Sequence, residues 1–373
     1  MRFLAEDNRK KQLAELEKNI NGNTDAKLYV WGCASTAKTI TKYIESNSSV
    51  KVTAYIVDDL YYKDSIYNGR DVVKFSQWEQ MANAGDYVVM GFTNEERARK
   101  VITELKEGVQ GLYFYFPYSM NAYESCLSYE EYMTHEKDFE KVYSMLDDQL
   151  SKDTMKSFLD GCMNGKVEEL NKCRVTGQYF HDLTQKYQVN CVVDCGAYIG
   201  DTIEAAKAFY GETLTRIISF EPDVRNIELL KERVQKCGIK EEQLCLVTKG
   251  SWSKRDTLHF ASDDSSSSIS DDGDITIEVD SIDHVLEQVD GKVDFIKMDV
   301  EGSEKESLLG ATQTIQKYHP ILAVCVYHRP EDLYELTKTI VDLAQGYSYK
   351  FYLRYYGPDL RELVLYALPE MEG

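Results

Sequence analysis

A predicted strand followed by a glycine-rich turn, VVDCGAYIGDT at residues 192–202, limits this chain to a small set of folds. The turn carries Gly196 and Gly200 and leads into a segment with helical periodicity. A strand, a glycine-rich turn and a helix in this order are typical of the first unit of a parallel α/β sheet, and ligands bind at that turn. The sequence therefore predicts a ligand site here.

The charges of this turn indicate which ligand it binds. In the dinucleotide pattern G-x-G-x-x-G, a pyrophosphate approaches the backbone at a helix N-terminus. Here Asp194 precedes Gly196 by two residues, Asp201 follows Gly200, and the stretch contains no Lys or Arg. Unpaired acids facing a pyrophosphate in a desolvated site would cost on the order of several kcal/mol.

The same turn suits a ligand with a cationic end. S-adenosylmethionine (SAM) carries an ammonium and a sulfonium group, and glycines would let its methionyl part come near the backbone. We expect Asp194 to hold the turn or to accept a hydrogen bond from the ammonium. Glu221 ends the next predicted strand, RIISFEP, where an acid accepts hydrogen bonds from ribose hydroxyls in SAM and NAD sites alike.

Two further strand ends carry candidate catalytic residues. Asp299 ends the strand VDFIKMDV and His328 follows PILAVCVY, so both should face the ligand edge of the sheet. A His with a near-neutral pKa at this edge could take a proton from a hydroxyl substrate, or it could simply be a polar residue at a strand end. Glu301 either faces the ligand or favours the start of the following helix through its dipole.

Periodicity divides the chain into four parts. We predict an N-terminal helix at residues 1–26, a smaller Rossmann-like α/β domain at 27–116, a helical connector at 117–188 and a larger α/β domain at 189–373. The acidic, serine-rich segment at 262–274 predicts a mobile loop.

Composition excludes several partners. The net charge of -20 argues against a nucleic acid or an anionic membrane. The N-terminal segment lacks the apolar stretch of a signal peptide, and the nine Cys include no C-x-x-C pair, which indicates reduced thiols. We therefore expect a cytoplasmic protein, with its oligomeric state left open.

The turn WGCAST, after the first strand of the N-terminal domain, is a weaker candidate site. Only Gly32 remains of the dinucleotide pattern, while Asp58 and Asp59 end the second strand in the position of a ribose-binding acid. This domain would either bind a nucleotide or nucleotide sugar, or serve packing or partner recognition as a degenerate module. We favour the second interpretation, because a lone glycine is weak evidence.

Several motifs of the larger domain together resemble the FkbM-type SAM-dependent methyltransferases, over roughly residues 178–368. They are VVDCGAYIGDT, SFEPD, KGSW, FIKMDVEGSEKESLLGA and YHRPEDL. The resemblance implies a class I methyltransferase fold, a Rossmann-like and mostly parallel seven-stranded sheet with an antiparallel last strand. It also implies O-methylation, in several members on sugar hydroxyls of natural products or glycans.

The resemblance also assigns site residues by position. The implied SAM-binding residues are Asp194, Gly196, Gly200, Asp201, Glu221, Gly250 and Ser251. Tyr179 and Phe180 match an aromatic pair that commonly precedes this domain, and they would pack on the cofactor or on the core. We expect His328 to act as general base, with Asp299 orienting the acceptor or the base. Alternatively, Asp299, Glu301 and His328 would hold a divalent cation that acidifies a sugar hydroxyl.

Two other functions are compatible with the sequence. Two Rossmann-like halves would suit a nucleotide-binding oxidoreductase or epimerase, although the acidic turn argues against NAD in the C-terminal half. A non-catalytic protein that binds SAM or a nucleotide sugar would show the same motifs without methyl transfer. For a methyltransferase, we expect a small-molecule or glycan acceptor.

Overall fold

The computed structural model describes residues 8–92, 94–114, 127, 129–164, 167–263, 266–269, 275–289, 291–357 and 360–370. The chain divides into two units, one made of residues 1–130 and 157–168 and the other of residues 131–156 and 169–373. No helix in these described ranges is both long and apolar enough to cross a membrane.

The N-terminal unit is built on a six-stranded sheet. Its strands are β1 (Leu28–Trp31), β2 (Val52–Val57), β3 (Ile66–Tyr67), β4 (Arg70–Lys74), β5 (Tyr87–Met90) and β6 (Gln110–Leu112). Their order is β3-β4-β2-β1-β5-β6, and all pairs are parallel except β3 with β4. The helices that follow the N-terminal helix α1 (Asn8–Asn21) are α2 (Ser35–Asn47), α3 (Phe75–Met81) and α4 (Glu95–Glu104).

Both faces of this sheet are covered, as its continuous apolar strands require. Val30 and Tyr55 pack into one hydrophobic cluster with residues of α1 and α2. Trp31 and Ile56, their neighbours in sequence, pack into a second cluster that contains Trp78 of α3. The sequence did not predict β3, β4 and α3, because β4 carries only two apolar residues and lies near the sheet edge.

The segment between the two sheets is helical. Its helices are α5 (Tyr129–Thr134), α6 (Glu136–Met145), α7 (Gln149–Asn164), α8 (Val167–Lys172) and α9 (Asp182–Gln185).

The C-terminal unit contains a seven-stranded and a four-stranded sheet. The strands in chain order are β7 (Cys191–Cys195), β8 (Arg216–Phe220), β9 (Leu244–Val247), β10 (Gly250–Ser251), β11 (Asp256–Asp263), β12 (Ser266–Ile269), β13 (Ile275–Asp280), β14 (Phe295–Met298), β15 (Ile321–Cys325), β16 (Tyr349–Tyr355) and β17 (Leu363–Pro369). The helices are α10 (Asp201–Tyr210), α11 (Val224–Lys236), α12 (Ile282–Leu286), α13 (Glu304–Leu309), α14 (Thr312–Tyr318) and α15 (Asp332–Leu343).

The large sheet confirms the predicted fold class. Its order is β16-β17-β15-β14-β7-β8-β9, and only the last strand, β17, runs antiparallel to its neighbours. Strands β7, β14 and β15 are buried along their whole length. The strand order reverses at β7, so a crevice opens beside the carboxyl ends of β7, β8 and β14, where ligands of open α/β sheets bind.

The small sheet begins directly after a strand of the large one. Residues 244–252 contribute to both sheets, because β9 belongs to the large sheet and β10 pairs with β13. The loop expected at 262–274 is partly a hairpin, in which Asp263 of β11 pairs with Ser266 of β12. Backbone hydrogen bonds form this hairpin, while its sequence lacks the alternation of apolar residues that predicts a strand. Residues 264, 265 and 270–274 lie outside the described residues.

Candidate active site

A cavity of about 670 Å³ lies at the carboxyl ends of β7, β8 and β14. This volume is within the range of roughly 300–1,000 Å³ that is typical of small-molecule sites. The predicted residues that line it are Gly196, Asp201, Glu221, Gly250, Ser251, Asp299 and Glu301. Asp194, Gly200 and His328, all within the described ranges, are not among the lining residues. The structure thus brings most of the predicted set to one cavity.

Asp194 is fully buried and is neutralised by a lysine of the neighbouring strand. Lys297 lies opposite Asp194 in the pairing of β14 with β7, with its Nζ 3.1 Å from Asp194 Oδ1. The ammonium also donates hydrogen bonds to the carbonyl oxygens of Cys195, at 3.2 Å, and Gly196, at 2.6 Å. Burial raises the pKa of Asp194 to about 6, although the charge of Lys297 opposes this shift. The buried pair supports the turn, and Asp194 is not positioned to bind a ligand ammonium.

The two glycines of the turn are required by contacts within the protein. Gly196 has a φ of 76° and Gly200 a φ of 82°, a region that favours glycine. A Cβ on Gly196 would lie 1.9 Å from the carbonyl oxygen of Asp299, and one on Gly200 would lie 3.2 Å from Cγ of Leu230. The turn therefore passes directly over the end of β14 and over α11. The sequence had suggested that the glycines make room for a ligand.

Glu221 is held in the cavity wall by three donors. Its Oε2 accepts a hydrogen bond from the Tyr198 N–H at 2.8 Å, and its Oε1 accepts from the Asp223 N–H at 2.9 Å and Asn226 Nδ2 at 3.2 Å. A carboxylate has about four acceptor positions, so one remains for a hydroxyl of a ligand. Asp201 lines the cavity from the first turn of α10, where an acid also stabilises the helix dipole.

The small sheet supplies an opposite, largely apolar wall. Gly250 and Ser251 line the cavity, and the buried Ser251 Oγ lies 2.6 Å from Ser307 Oγ. The apolar side chains of this wall are Leu258, Ile277 and Val279. Such a surface suits a flat or apolar part of a ligand.

A chain of polar side chains also lines the cavity. The Tyr179 hydroxyl donates to Asp299 Oδ2 at 3.2 Å, and Gln178 Nε2 contacts both the Tyr179 hydroxyl, at 3.2 Å, and Glu362 Oε2, at 2.6 Å. Burial raises the pKa of Glu362 above its ordinary value, although the hydrogen bond from Gln178 lowers it. Of the predicted aromatic pair, Tyr179 lines the cavity, whereas Phe180 packs in the core.

His328 lies behind Asp299 among three carboxylates. Its Nε2 is 3.5 Å from Asp299 Oδ1 and 3.7 Å from Glu301 Oε2, and its Nδ1 is 2.9 Å from Glu304 Oε1. Burial lowers the pKa of His328, but the contact with Glu304 and the charges of the other two acids outweigh it and raise the pKa to about 9. This raised pKa contrasts with the near-neutral pKa expected for a general base.

Sequence reasoning missed three residues of this site. Lys297 had a visible signal, since a lone cation inside an apolar strand must find a partner. Glu304 had none, although the structure buries it fully at the start of α13. Glu362 reaches the cavity from the turn between β16 and β17, far from the motifs in sequence.

The N-terminal candidate residues have local structural partners. A Cβ on Gly32 would lie 2.9 Å from the carbonyl oxygen of Gly91, so this glycine permits two strand ends to pack. Asp58 forms an ion pair with Arg97 at 3.0 Å. Asp59 accepts hydrogen bonds from the backbone N–H and the hydroxyl of Ser76, at the start of α3. These contacts support the packing interpretation of this turn.

Comparison with known proteins gives a family match within the larger domain. Residues 194–351 match the family model described as methyltransferase FkbM domain. The crystal structure of the methyltransferase FkbM from Methylobacillus flagellatus KT is similar over 95% of this chain and 93% of its own, with a TM-score of 0.73 and 21% sequence identity. At this identity the likeness shows the fold, and it extends over both units.

Other solved structures match only part of the chain. Fibrillarin from Aeropyrum pernix, solved with natively bound S-adenosyl-L-methionine, has 14% identity and a TM-score of 0.33, covering 49% of this chain and 68% of its own. An rRNA methylase from Streptococcus thermophilus has 12% identity and a TM-score of 0.33, and the match covers 50% of this chain and 89% of its own. These scores are too low to support a conclusion. Among curated proteins, none matches this chain.

Proposed function

We propose, on the premise that residues 194–351 match the FkbM methyltransferase domain, that the protein transfers the methyl group of SAM to a hydroxyl of a sugar or glycosylated metabolite. The observation that carries this proposal is the composition of the cavity lining. The lining contains a first group, Glu221 and the glycine turn, and a second group, the polar chain of Tyr179, Asp299 and Glu362.

The first group, Glu221 and the glycine turn, suits SAM. Glu221 is fixed by its three donors and offers its remaining acceptor position to the ribose hydroxyls. Gly250 and Ser251, with the apolar wall of the small sheet, are the proposed contacts of the adenine. Gly196 and Asp201 border the space left for the methionyl part. Asp194 contributes indirectly, through its ion pair with Lys297 below the turn.

The second group, the polar chain of Tyr179, Asp299 and Glu362, suits a hydroxylated acceptor. When bound, SAM supplies an electrophilic methyl group on its sulfonium. The acceptor oxygen forms the new carbon–oxygen bond, the carbon–sulfur bond breaks with its electron pair going to sulfur, and the hydroxyl proton passes to the protein. We assign Asp299 to orient the acceptor hydroxyl, because it lines the cavity and Tyr179 fixes its carboxylate.

We assign the proton acceptor to Glu362. Its carboxylate lines the cavity and is linked through Gln178 and Tyr179 to Asp299. A carboxylate whose pKa is raised by burial is a stronger base than an exposed one, which is how enzymes adapt Glu to general-base catalysis. His328, which is not among the cavity-lining residues, supports Asp299 in this assignment.

Binding of S-adenosylhomocysteine (SAH) tests the cofactor. We expect calorimetry to show binding to the wild type and an affinity loss of at least about tenfold in Glu221→Gln, the equivalent of one hydrogen bond to a charged group. The matched control is Glu228→Gln, an exposed acid of the adjacent α11. Absence of SAH binding, or equal affinities of the two variants, would remove the basis of the proposal.

A screen with labelled SAM tests the acceptor. Sugars, glycans and glycosylated metabolites would be incubated with the protein and analysed by mass spectrometry for one added methyl group. Glu362→Gln should bind SAH normally and lose turnover by about 10²-fold or more, the contribution of a general base. If SAH binds and no acceptor is ever methylated, the protein is a SAM-binding protein without catalysis, the main alternative.

A further inference from the structure

The imidazole of His328 is buried among atoms that have no hydrogen-bond partner. Its side chain is 8% exposed, and within the part of the chain described Nε2 makes no hydrogen bond, while Nδ1 faces Glu304 Oε1 at 2.9 Å. Glu304 Oε2 and Asp299 Oδ1 are likewise buried without a hydrogen bond. Buried polar atoms are almost always satisfied, so these three open atoms in one cluster indicate a group that binds among them.

The atoms around His328 Nε2 have the spacing of metal ligands. Asp299 Oδ1 lies 3.5 Å and Glu301 Oε2 3.7 Å from this nitrogen. An ion about 2.1 Å from each ligand places neighbouring ligands about 3.0–3.5 Å apart, depending on geometry. Both distances to His328 Nε2 are close to this spacing.

The second nitrogen of His328 has the environment of a metal-bound histidine. Glu304 Oε1 lies 2.9 Å from Nδ1 and is itself fixed by the Val300 N–H at 2.9 Å. Histidines that ligate a metal usually face a carboxylate with their other nitrogen, which sets the tautomer and the ring orientation. Ligand atoms of Asp299, Glu304 and His328 all lie within 4.8 Å of one another.

We propose that His328 Nε2, Asp299 Oδ1 and Glu301 Oε2 bind a divalent cation of the Mg²⁺ or Mn²⁺ class, with Glu304 orienting the imidazole. Two carboxylates and one imidazole neutralise such an ion and suit its preference for oxygen and nitrogen ligands. Asp299 and Glu301 line the cavity, so the open positions of the ion would face the acceptor. Its catalytic meaning rests on the proposed function: the ion would polarise the acceptor hydroxyl, while Glu362 takes the proton.

Direct titration with Mn²⁺ tests the site without any turnover. The full-length protein, stripped of metals with a chelator and then freed of the chelator, would be titrated near neutral pH while electron paramagnetic resonance measures free Mn²⁺. We expect one tight site per chain. Glu301→Gln and His328→Gln should each weaken it at least about tenfold, and Glu304→Gln should weaken it about 10- to 100-fold.

The variants separate binding from folding. The Glu301 side chain is 90% exposed, so Glu301→Gln leaves the core intact even if the substitution of His328 does not fold. Glu306→Gln, on the same helix as Glu304 and outside the cluster, is the matched control and should bind Mn²⁺ like the wild type. No tight binding, or equal binding by wild type and Glu301→Gln, overturns the site.

SAH calorimetry on the same preparation distinguishes this inference from the proposed function. SAH binding without Mn²⁺ binding overturns the cation site and leaves methyl transfer standing. Mn²⁺ binding that depends on Glu301, without SAH binding, supports the cation site and contradicts the methyltransferase proposal.

Discussion

Replacing Gly196 by alanine should damage the protein far more than the same replacement at Gly238. Both glycines have nearly the same left-handed backbone, with φ of 76° and 71°. A Cβ on Gly238 meets nothing within 4 Å, whereas one on Gly196 would lie 1.9 Å from the carbonyl oxygen and 3.0 Å from the carbonyl carbon of Asp299. The backbone of Asp299 follows β14, which pairs with β7 along its length and cannot easily move away.

The expected magnitudes follow from this difference. The left-handed conformation costs alanine about 1–2 kcal/mol at either position. At Gly196, the turn must also move by roughly 1 Å relative to β14, and overpacking of this kind costs about 1–3 kcal/mol or more. Each kcal/mol of lost stability lowers the melting temperature of a unit of this size by about 2–4 °C. We therefore expect the melting temperature to fall by about 4 °C in Gly238→Ala and by about 10 °C in Gly196→Ala.

Scanning calorimetry with and without SAH measures both effects. Because Gly196 lines the cavity and Gly238 does not, only Gly196→Ala should lose SAH affinity, by about tenfold or more. Equal losses of melting temperature, together with equal SAH affinities, would show that the close approach to Asp299 is not what requires glycine at this position.

Three further substitutions or reactions have defined outcomes. Lys297→Met leaves the buried Asp194 unpaired and should lower the free energy of unfolding by about 3–5 kcal/mol, as measured by urea denaturation. The double variant Asp194→Asn, Lys297→Met should recover much of this lost stability. Burial raises the pKa of Cys195 to about 12. Iodoacetamide at pH 8 should therefore alkylate the partly exposed Cys33 long before Cys195, as followed by mass spectrometry. Early modification of Cys195 would contradict its burial. Asp59→Ala removes the acceptor of the Ser76 N–H in the first turn of α3 and should lower the melting temperature slightly without changing SAH affinity. A change in SAH affinity would refute the structural role assigned to Asp59.

The sheet strands and the ligand edge could be predicted because their signals are local. Strands such as β7 and β15 are continuous apolar runs, and the glycine turn follows β7 directly. Glu221 and Asp299 could be placed because each ends a strand, and parallel strands end at the same edge. The charge state of Asp194 could not be predicted, since it depends on the register that sets Lys297 opposite it in β14.

The role of His328 shows a second limit of sequence reasoning. Its position at the carboxyl edge of the sheet was predicted correctly, but its pKa depends on Glu304, whose buried orientation has no sequence signal. Glu362 and Gln178 are 184 residues apart and meet only because the β16–β17 hairpin folds back over the cavity. Contacts of this kind depend on tertiary packing, which periodicity does not encode.

The small sheet has a consequence for protein engineering. Within the described ranges, strands β11 and β13 of this sheet line the cavity with aliphatic side chains only. Each charged lining residue in these ranges comes from the large sheet or from the segments that follow its strands. A chimera that exchanges residues 256–280 with a homologous segment would therefore alter the shape of the wall and leave the reactive groups in place. Because this wall is the proposed contact of the adenine, such an exchange should change the affinity for the cofactor and leave the proposed acceptor groups in place.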